Sequence, residues 1–385
     1  MFHADTNESK LRRRTGEKWK HYPADVLPAW VADMDFEIAP PIRAALDERL
    51  ANVDLGYPML ERRSGLHEMF AERIASRFGW QIDPVAVEVL NDVVQGIYMC
   101  LQTLSAEGEG AVIQTPIYPP FLRAVDLTRR RGILCPLEAG KSRFEIDFDR
   151  LESALDSSTR LILLCNPHNP TGRAFDREEL ERLAAIACRH DLVIVADEIH
   201  ADLVLDDRPH IPIATLDAEV AQRTVTLMSA SKAFNIAGLC LAFAVIENDA
   251  LRRRFKAMPP HTRGGLNTLS MAAVRAAWTQ SQPWLDEALN YLRDNRDHFA
   301  DYCRAQWPDI VHFPPEATYL AWLDMRALTL KPSPYEFFLE KARVALSDGR
   351  RFGEAGTGFV RLNFATSQAL LDEILERMNE ALNAR

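Results

Sequence analysis

Short, almost wholly apolar segments alternate with longer segments of helical periodicity, and this alternation constrains the fold more than any other feature of the sequence. The clearest strand candidates carry no charged residue and are Ala111–Gln114, Leu161–Cys165, Leu192–Ala196, Thr224–Met228 and Leu241–Ile246. Strands of this kind are typical of parallel sheets covered by helices on both faces. The predicted fold class is α/β, with a mostly parallel central sheet flanked by helices.

A helix with defined ends is predicted between the second and third of these strands. Asp176 followed by Glu179 is the pattern of a capping box, and apolar residues at helical spacing follow from Leu180 to Ala187. This helix is expected to end near His190. Similar patterns predict helices at Gly96–Leu104, Phe121–Arg130, Asn267–Ala277 and Pro283–Gln306.

The C-terminal part of the chain predicts a smaller α+β domain. Strand-like Thr318–Leu323 and Phe359–Phe364 enclose a helix that opens at Pro334, and a final helix starts from Ser367. We therefore expect an N-terminal arm at 1–45 that contributes to the small domain, a large domain at 46–284 that contains the central sheet, and a small domain at 285–385.

Composition excludes several classes of function. The 385 residues include 45 basic and 55 acidic side chains, and the net charge of −10 disfavours nucleic acid as a partner. The longest charge-free stretches, Val93–Ala106 and Ala233–Ile246, are too short to span a bilayer, so no membrane association is expected. The six cysteines form no C-x-x-C pair and the N-terminus shows no export pattern, so the expected compartment is the cytoplasm.

A lysine directly after a buried strand is the first candidate catalytic group. Lys232 follows Ser229 and Ser231 in a Ser-x-Ser-Lys turn. A partly buried lysine loses proton affinity, and its free amine is a nucleophile that forms an imine with a carbonyl. The two hydroxyls are suited to binding phosphate. Taken alone, the segment favours an exposed lysine at a strand end over a catalytic one.

Polar residues also follow the neighbouring strands. Asp197 ends an apolar run and is followed by His200. A carboxylate in this position is suited to pairing with a protonated ring nitrogen, to binding magnesium or to capping a helix or turn, and His200 is alternatively a surface histidine. Asn169 lies in Asn-Pro-His-Asn-Pro-Thr-Gly, which is either a tight turn or a donor to a ring oxygen.

Two weaker signals lie nearer the N-terminus. Gly96 and Ile97 are expected to open a helix, where free N–H groups bind anions, although many helices start with glycine. Tyr118 follows another strand and is either a core residue or a platform for a flat ring.

Together these segments resemble fold-type I pyridoxal-phosphate (PLP) enzymes of the aspartate aminotransferase superfamily, from about Trp30 to the C-terminus. The resemblance implies that Lys232 links PLP through an imine and that Asp197 pairs with the pyridine nitrogen. It further implies that the ring and phosphate are contacted by Gly96, Ile97, Tyr118, Asn169, His200, Ser229 and Ser231. Arg361 matches the arginine that binds the α-carboxylate of an amino-acid substrate, and Ala32 is expected to lie against that substrate.

Finer features resemble the cystathionine β-lyase-like branch. They are the segments Trp30–Phe36, Asn166–Gly172, Asp197–His200 and Ser231–Gly238. Tyr57, in Leu-Gly-Tyr, resembles the tyrosine that reaches the active site of the partner subunit and acts there in substrate binding and catalysis. The resemblance therefore implies a homodimer.

One position departs from most aminotransferases of this fold. Cys240 stands where those enzymes carry a phosphate-binding arginine, and the lyase branch commonly lacks that arginine too. The absence of this arginine favours the lyase branch. It also implies that hydroxyls, N–H groups and the helix terminus compensate more of the phosphate charge.

The resemblance implies β-elimination from an S-substituted cysteine, which gives pyruvate, ammonia and a thiol. The main alternatives are amino transfer to a keto acid and another PLP reaction in a biosynthetic pathway. A regulator that keeps the fold to bind a transcription factor is a further alternative. A metal enzyme is disfavoured, because His190, His200 and His210 lack ligand spacing. The loop Pro259–Gly265 is interpreted as a helix connection rather than a loop that faces the partner's site.

Overall fold

A computed structural model describes residues 2–4, 7–59 and 61–385. Its strands are β1 Leu27–Pro28, β2 Val87–Leu90, β3 Gly110–Thr115, β4 Arg131–Pro136, β5 Glu138–Ala139, β6 Phe144–Glu145, β7 Thr159–Cys165, β8 Val193–Asp197, β9 Thr224–Met228, β10 Ala242–Val245, β11 Val311–His312, β12 Leu320–Asp324, β13 Val344–Ala345, β14 Ser347–Asp348 and β15 Phe359–Asn363.

The described helices are α1 Glu8–Leu11, α2 Glu17–Lys20, α3 Pro40–Ala51, α4 Leu66–Phe78, α5 Val93–Leu104, α6 Pro119–Leu127, α7 Phe148–Ser153, α8 Arg177–Arg189, α9 Ala218–Gln222, α10 Asp249–Phe255, α11 Thr268–Gln280, α12 Gln282–Gln306, α13 Pro334–Phe337 and α14 Gln368–Asn383. None of them combines the length and apolar character needed to cross a bilayer.

A seven-stranded sheet forms the centre of the molecule in the order β2-β10-β9-β8-β7-β3-β4. The pairs from β9 to β4 are parallel, and β10 is antiparallel to both β9 and β2. Apolar clusters cover both faces of the sheet. The predicted α/β class is confirmed, and each of the five predicted strands is present to within two residues at either end.

The two strands that the apolar pattern missed, β2 and β4, lie at the two edges of this sheet. Edge strands commonly carry charges. In β2, Glu88 is buried but forms ion pairs with Arg62 and Lys256 at 3.0 Å. In β4, Arg131 is exposed. A search for uncharged runs therefore finds the central strands and overlooks those at the edges.

Local capping signals fix most helix starts. The capping box of Asp176 and Glu179 precedes α8, Ser333 caps α13 with Pro334 in its first turn, and Ser367 caps α14, as predicted. The expected start of α5 at Gly96 is wrong. Asp92 accepts a hydrogen bond from the Gln95 N–H at 2.7 Å, so that helix begins at Val93.

The C-terminal part contains a second sheet, with the order β11-β12-β15-β14. The strand β1 near the N-terminus pairs in parallel with β13, and Asn363 N–H donates to the carbonyl of Ala29 at 2.9 Å. These contacts join the N-terminal segment to the C-terminal sheet. The division at 45 and 284 stays a prediction.

The topology aligns the ends of neighbouring strands. Because β3, β7, β8 and β9 are parallel and adjacent, their carboxyl ends lie at one edge of the sheet. These ends are Thr115, Cys165, Asp197 and Met228. The segments that carry Tyr118, Asn169, His200 and Lys232 follow directly, so the sheet gathers residues that are distant in sequence.

Candidate active site

Lys232 occupies a half-buried position after β9. Its Nζ donates a hydrogen bond to the carbonyl oxygen of Ala32 at 3.0 Å, and the Tyr319 hydroxyl donates to the same oxygen at 2.9 Å. Burial lowers the pKa of Lys232, and the positive charge of Arg361 acts in the same direction, whereas Asp33 and Asp197 oppose it. The arrangement favours a free amine and so supports the nucleophilic role over that of an exposed surface lysine.

Asp197 is a buried carboxyl at the end of β8. Its Oδ1 accepts a hydrogen bond from the Ile199 N–H at 3.1 Å. The pKa of Asp197 is raised to about 7, mainly by burial; the charge of Glu198 contributes to the increase, whereas the hydrogen bond from the Ile199 N–H and the charge of Lys232 oppose it. A positively charged partner bound beside this buried carboxyl would lower its pKa and so favour its ionised form.

His200 is buried near Lys232 and Arg361. Burial lowers its pKa to about 3, and the charges of these two cations add to the effect, so the imidazole is neutral at pH 7. Its Nδ1 has no hydrogen-bond partner among the residues that the structure describes. A buried ring nitrogen without a partner is suited to meeting a polar atom of a bound molecule.

Arg361 and Asn169 are in direct contact. Arg361 Nη1 donates to Asn169 Oδ1 at 2.8 Å, and Nη2 donates to the carbonyl of Trp30 at 2.8 Å and to Ser347 Oγ at 3.1 Å. The guanidinium lies 4.9 Å from the centre of the Phe352 ring. Burial lowers the pKa of Arg361 to about 10, so it remains protonated at pH 7.

Two glycines bring Phe352 into this position. A Cβ on Gly349 would lie 2.2 Å from the carbonyl oxygen of Gly356, and a Cβ on Gly356 would lie 2.1 Å from that of Gly349. Only residues without side chains permit so close an approach. The Gly-rich loop therefore folds back tightly beside Arg361.

The remaining cofactor candidates lie along the same edge. The Tyr118 N–H donates to the carbonyl of Asn169 at 3.1 Å, and burial raises the pKa of its half-buried phenol. Ser229 donates to the carbonyl of Leu241 at 2.6 Å and accepts from the Ser231 N–H at 3.1 Å, so its hydroxyl proton is used within the protein.

Gly96 and Ile97 are buried within α5, and the Gly96 N–H donates to the carbonyl of Asp92 at 3.3 Å. A Cβ on Gly96 would lie 2.8 Å from Leu227 of β9, so the glycine allows the helix to pack closely on the sheet. The predicted phosphate contacts of Ser229, Ser231, Gly96 and Ile97 stay predictions.

Tyr57 is not part of this cluster within one chain, because its side chain is fully exposed. It lines a surface cavity of about 520 Å³ together with Arg63 and Arg275. Cys240 is also exposed, at the end of a short turn. The loop at 259–265 connects α10 with α11 and contacts α5, where the Gln95 side chain donates to the carbonyl of Thr262 at 3.5 Å.

Sequence reasoning missed Tyr319, Asn235 and Asn363, which contact the segment 30–36 from three other parts of the chain. Asn363 lies two residues after Arg361, and Asn235 three after Lys232. Their proximity to known candidates is the signal that was available. Among the described residues, no group of three histidine, cysteine or acidic side chains is arranged to hold a metal ion.

Comparison with known proteins gives consistent results. The family model for aminotransferase class I and II matches residues 59–378. The chain is 36% identical to cystathionine β-lyase PatB of Bacillus subtilis, over 93% of each chain. Among solved structures, it is similar to OvoB, with 41% identity, a TM-score of 0.92 and coverage of 100% of this chain and 99% of that one.

A putative PLP-dependent β-cystathionase from Corynebacterium diphtheriae is similar as well, with 36% identity, a TM-score of 0.93 and coverage of 98% of each chain. These similarities confirm both the predicted fold type and the resemblance to the lyase branch.

Proposed function

Because this chain belongs to the aminotransferase class I and II family, we propose that it is a PLP-dependent carbon–sulfur lyase acting on an S-substituted cysteine. The reaction consumes water and gives a thiol, pyruvate and ammonia. The observation that carries the proposal is the convergence of Lys232, Asp197 and Arg361 at one edge of the sheet, in a chain whose close relatives bear the name cystathionine β-lyase.

The residues present fit the cofactor. Asp197 is a buried carboxyl whose pKa is raised by burial, and a protonated ring nitrogen would compensate its charge. His200 Nδ1 is buried without a partner in the described part of the chain, and the Asn169 amide nitrogen is a donor; both are suited to the ring oxygen. In this proposal Tyr118 contacts the ring and Lys232 binds the aldehyde. PLP, when bound, supplies an electron sink for the bonds at the substrate α-carbon.

Arg361 orients the substrate. Its guanidinium is buried, protonated at pH 7 and already fixed by Asn169, Trp30 and Ser347. Its Nε has no hydrogen-bond partner within the described residues. A carboxylate matches this fork geometry, so the α-carboxylate binds here with little rearrangement of the protein.

Lys232 moves the proton. Lys232 would hold the cofactor through its aldehyde, and burial lowers the pKa of its Nζ, which favours the free amine when the nitrogen is not bound. It then accepts the proton from the substrate α-carbon as a general base. The electron pair of the broken C–H bond expels the sulfur from the β-carbon, and the thiolate takes up a proton as it leaves. In the chain without cofactor, Nζ donates a hydrogen bond to the Ala32 carbonyl at 3.0 Å.

A product assay distinguishes elimination from amino transfer. Purified enzyme is incubated with cystathionine or another S-substituted cysteine, and pyruvate, thiol and ammonia are measured. We expect equal amounts of the three without any keto acid added. Turnover that requires a keto acid and releases no thiol would show amino transfer instead and would overturn the proposal.

We further propose a homodimer in which Tyr57 enters the partner's active site. The proposal is supported by an exposed apolar segment that includes Leu55, Tyr57 and Met59. Large exposed apolar side chains clustered in one segment are typical of an interface. The cytoplasm remains the expected compartment, since none of the six cysteines forms a disulfide.

A further inference from the structure

The segment 30–33 lies between Lys232 and Arg361 and has neither helical nor strand structure. Its carbonyl groups therefore need partners from elsewhere. Trp30 O accepts from Arg361 Nη2 and from Ser347 Oγ, at 2.8 and 2.7 Å. Ala32 O accepts from Lys232 Nζ at 3.0 Å. The two side chains that the reaction depends on are thus both held by this one short segment.

Asn363 holds the same segment through the two carbonyls that Arg361 and Lys232 do not contact, those of Val31 and Asp33. Its Nδ2 donates to the carbonyls of Val31 and Asp33, both at 2.7 Å. Its Oδ1 accepts from the Ala365 N–H at 2.7 Å, which fixes the orientation of the amide because a flipped group would point oxygen at two carbonyls. Asn363 is buried, and every hydrogen-bonding atom of its side chain is used.

Its place in the fold explains this role. Residues two apart on a strand point to the same face, so Asn363 and Arg361 both project from β15 toward the segment 30–33. Directly after the segment, Asn235 accepts from the Met34 N–H at 3.0 Å and donates to the Met34 carbonyl at 2.9 Å. One asparagine near Arg361 therefore holds the segment itself, and one near Lys232 holds the residue that follows it.

We propose that Asn363 is a positioning residue that holds the segment 30–33 in register, so that its carbonyls place Lys232 Nζ and the Arg361 guanidinium for reaction. Asn363 contacts neither of these side chains and acts through the backbone of the segment. Without its two donors, Val31 O keeps only the Asp33 N–H and Asp33 O only Lys18 Nζ, so the middle of the segment is held less firmly against β15. The Ala32 and Trp30 carbonyls then no longer hold their donors in place.

The test compares Asn363→Ala with Asn295→Ala in the holoenzyme. Asn295 is equally buried, and its Nδ2 also donates to two carbonyls, those of Phe364 and Thr366 at 2.9 and 2.8 Å, but it does not contact the segment 30–33. The two substitutions remove comparable hydrogen bonds from one region. If the two variants lose similar thermal stability, a difference between their activities is therefore due to the segment 30–33.

Two readouts are measured for each variant. We expect Asn363→Ala to lower kcat and raise KM, with kcat/KM reduced by about 10- to 100-fold, while Asn295→Ala stays within about twofold of the wild type. The absorbance of the bound cofactor is also titrated with pH. A carbonyl acceptor favours the protonated nitrogen. Because Asn363→Ala weakens the Ala32 contact, the pH at the midpoint of the absorbance titration should be about 0.5 unit lower in this variant than in the wild type.

The proposal would be overturned if Asn363→Ala and Asn295→Ala had the same kcat/KM and the same midpoint pH in the absorbance titration. If Asn363→Ala fails to fold, Asn363→Thr replaces it, because its hydroxyl can still donate to one of the two carbonyls, and the same two readouts decide. The inference relies on the proposed lyase reaction only for the choice of substrate. The midpoint is independent of whether elimination or amino transfer follows, so failure of either idea is recognised separately.

Discussion

Asn169 Oδ1 accepts a hydrogen bond from Arg361 Nη1 at 2.8 Å, although the two residues are 192 positions apart. This contact determines which end of the Asn169 amide faces the arginine and directs its NH2 group away from it. The residue proposed to contact the cofactor ring is thereby linked to the residue proposed to bind the substrate carboxylate. Cofactor and substrate are expected to meet across this pair.

Arg361→Lys tests the carboxylate contact. Lysine keeps the positive charge but lacks the planar fork, so it cannot bind a carboxylate bidentately while contacting Asn169 and Trp30. We expect kcat/KM to fall about 100-fold, mainly through KM, in steady-state assays. Arg350→Lys is the matched control, because Arg350 is exposed and paired with Asp348. Similar kinetics for both variants would contradict the assignment.

A double-mutant cycle tests the coupling between the two residues. Asn169→Ala, Arg361→Lys and the double variant are compared through kcat/KM. Because the hydrogen bond joins a charged donor to a buried acceptor, we expect a coupling energy of about 1 kcal/mol or more. Simple additivity of the two effects would mean that the contact has no role in catalysis.

Lys232→Ala is expected to abolish turnover. The substitution removes both the amine that binds the cofactor aldehyde and the proposed base, so kcat should drop by at least about 1,000-fold. Thiol release is measured together with the absorbance of the bound cofactor, which should lose the band of the lysine-linked form. Lys141→Ala, which removes an exposed lysine, should leave both readouts unchanged. Thiol release at the wild-type rate by Lys232→Ala would exclude the proposed mechanism.

Asp197 predicts a specific pH dependence of stability in the cofactor-free protein. Because burial raises its pKa to about 7, the folded chain retains a proton that the unfolded chain releases near pH 4. The contribution of this group to the free energy of unfolding therefore decreases as the pH rises from about 4 to 7.

In Asp197→Asn this contribution is absent. The difference in free energy of unfolding, wild type minus variant, should fall by up to about 4 kcal/mol between pH 4 and pH 8 in urea titrations. A difference that is constant with pH would contradict the burial argument.

Hybrid dimers test the proposed sharing of the active site. Tyr57→Ala and Lys232→Ala should each be inactive, and a mixed dimer places both substitutions in one site and leaves the other site intact. Random reassociation of equal amounts should restore about one quarter of the wild-type activity. Activity no higher than that of the parent variants would place Tyr57 outside the partner's site.

Local patterns of residues are sufficient to predict the central strands and the polar residues that follow them. Buried parallel strands are uniformly apolar, so a lysine, a carboxylate and an asparagine directly after such strands stand out locally. Helix caps such as Asp176 and Ser367 are equally local and were recognised for the same reason. The predicted start of α5 at Gly96 is wrong because Asp92, three residues before Gln95, is the residue that caps this helix.

The contacts that hold the site together are visible only in the tertiary structure. The Lys232 amine meets the Ala32 carbonyl across 200 positions, and Asn363 reaches Val31 across 332. Hydrogen bonds between side chains and a distant, irregular backbone segment leave no periodic pattern, since their geometry depends on the packing of separate elements. The same holds for the edge strand β2, whose Glu88 is compatible with burial only because Arg62 and Lys256 neutralise it.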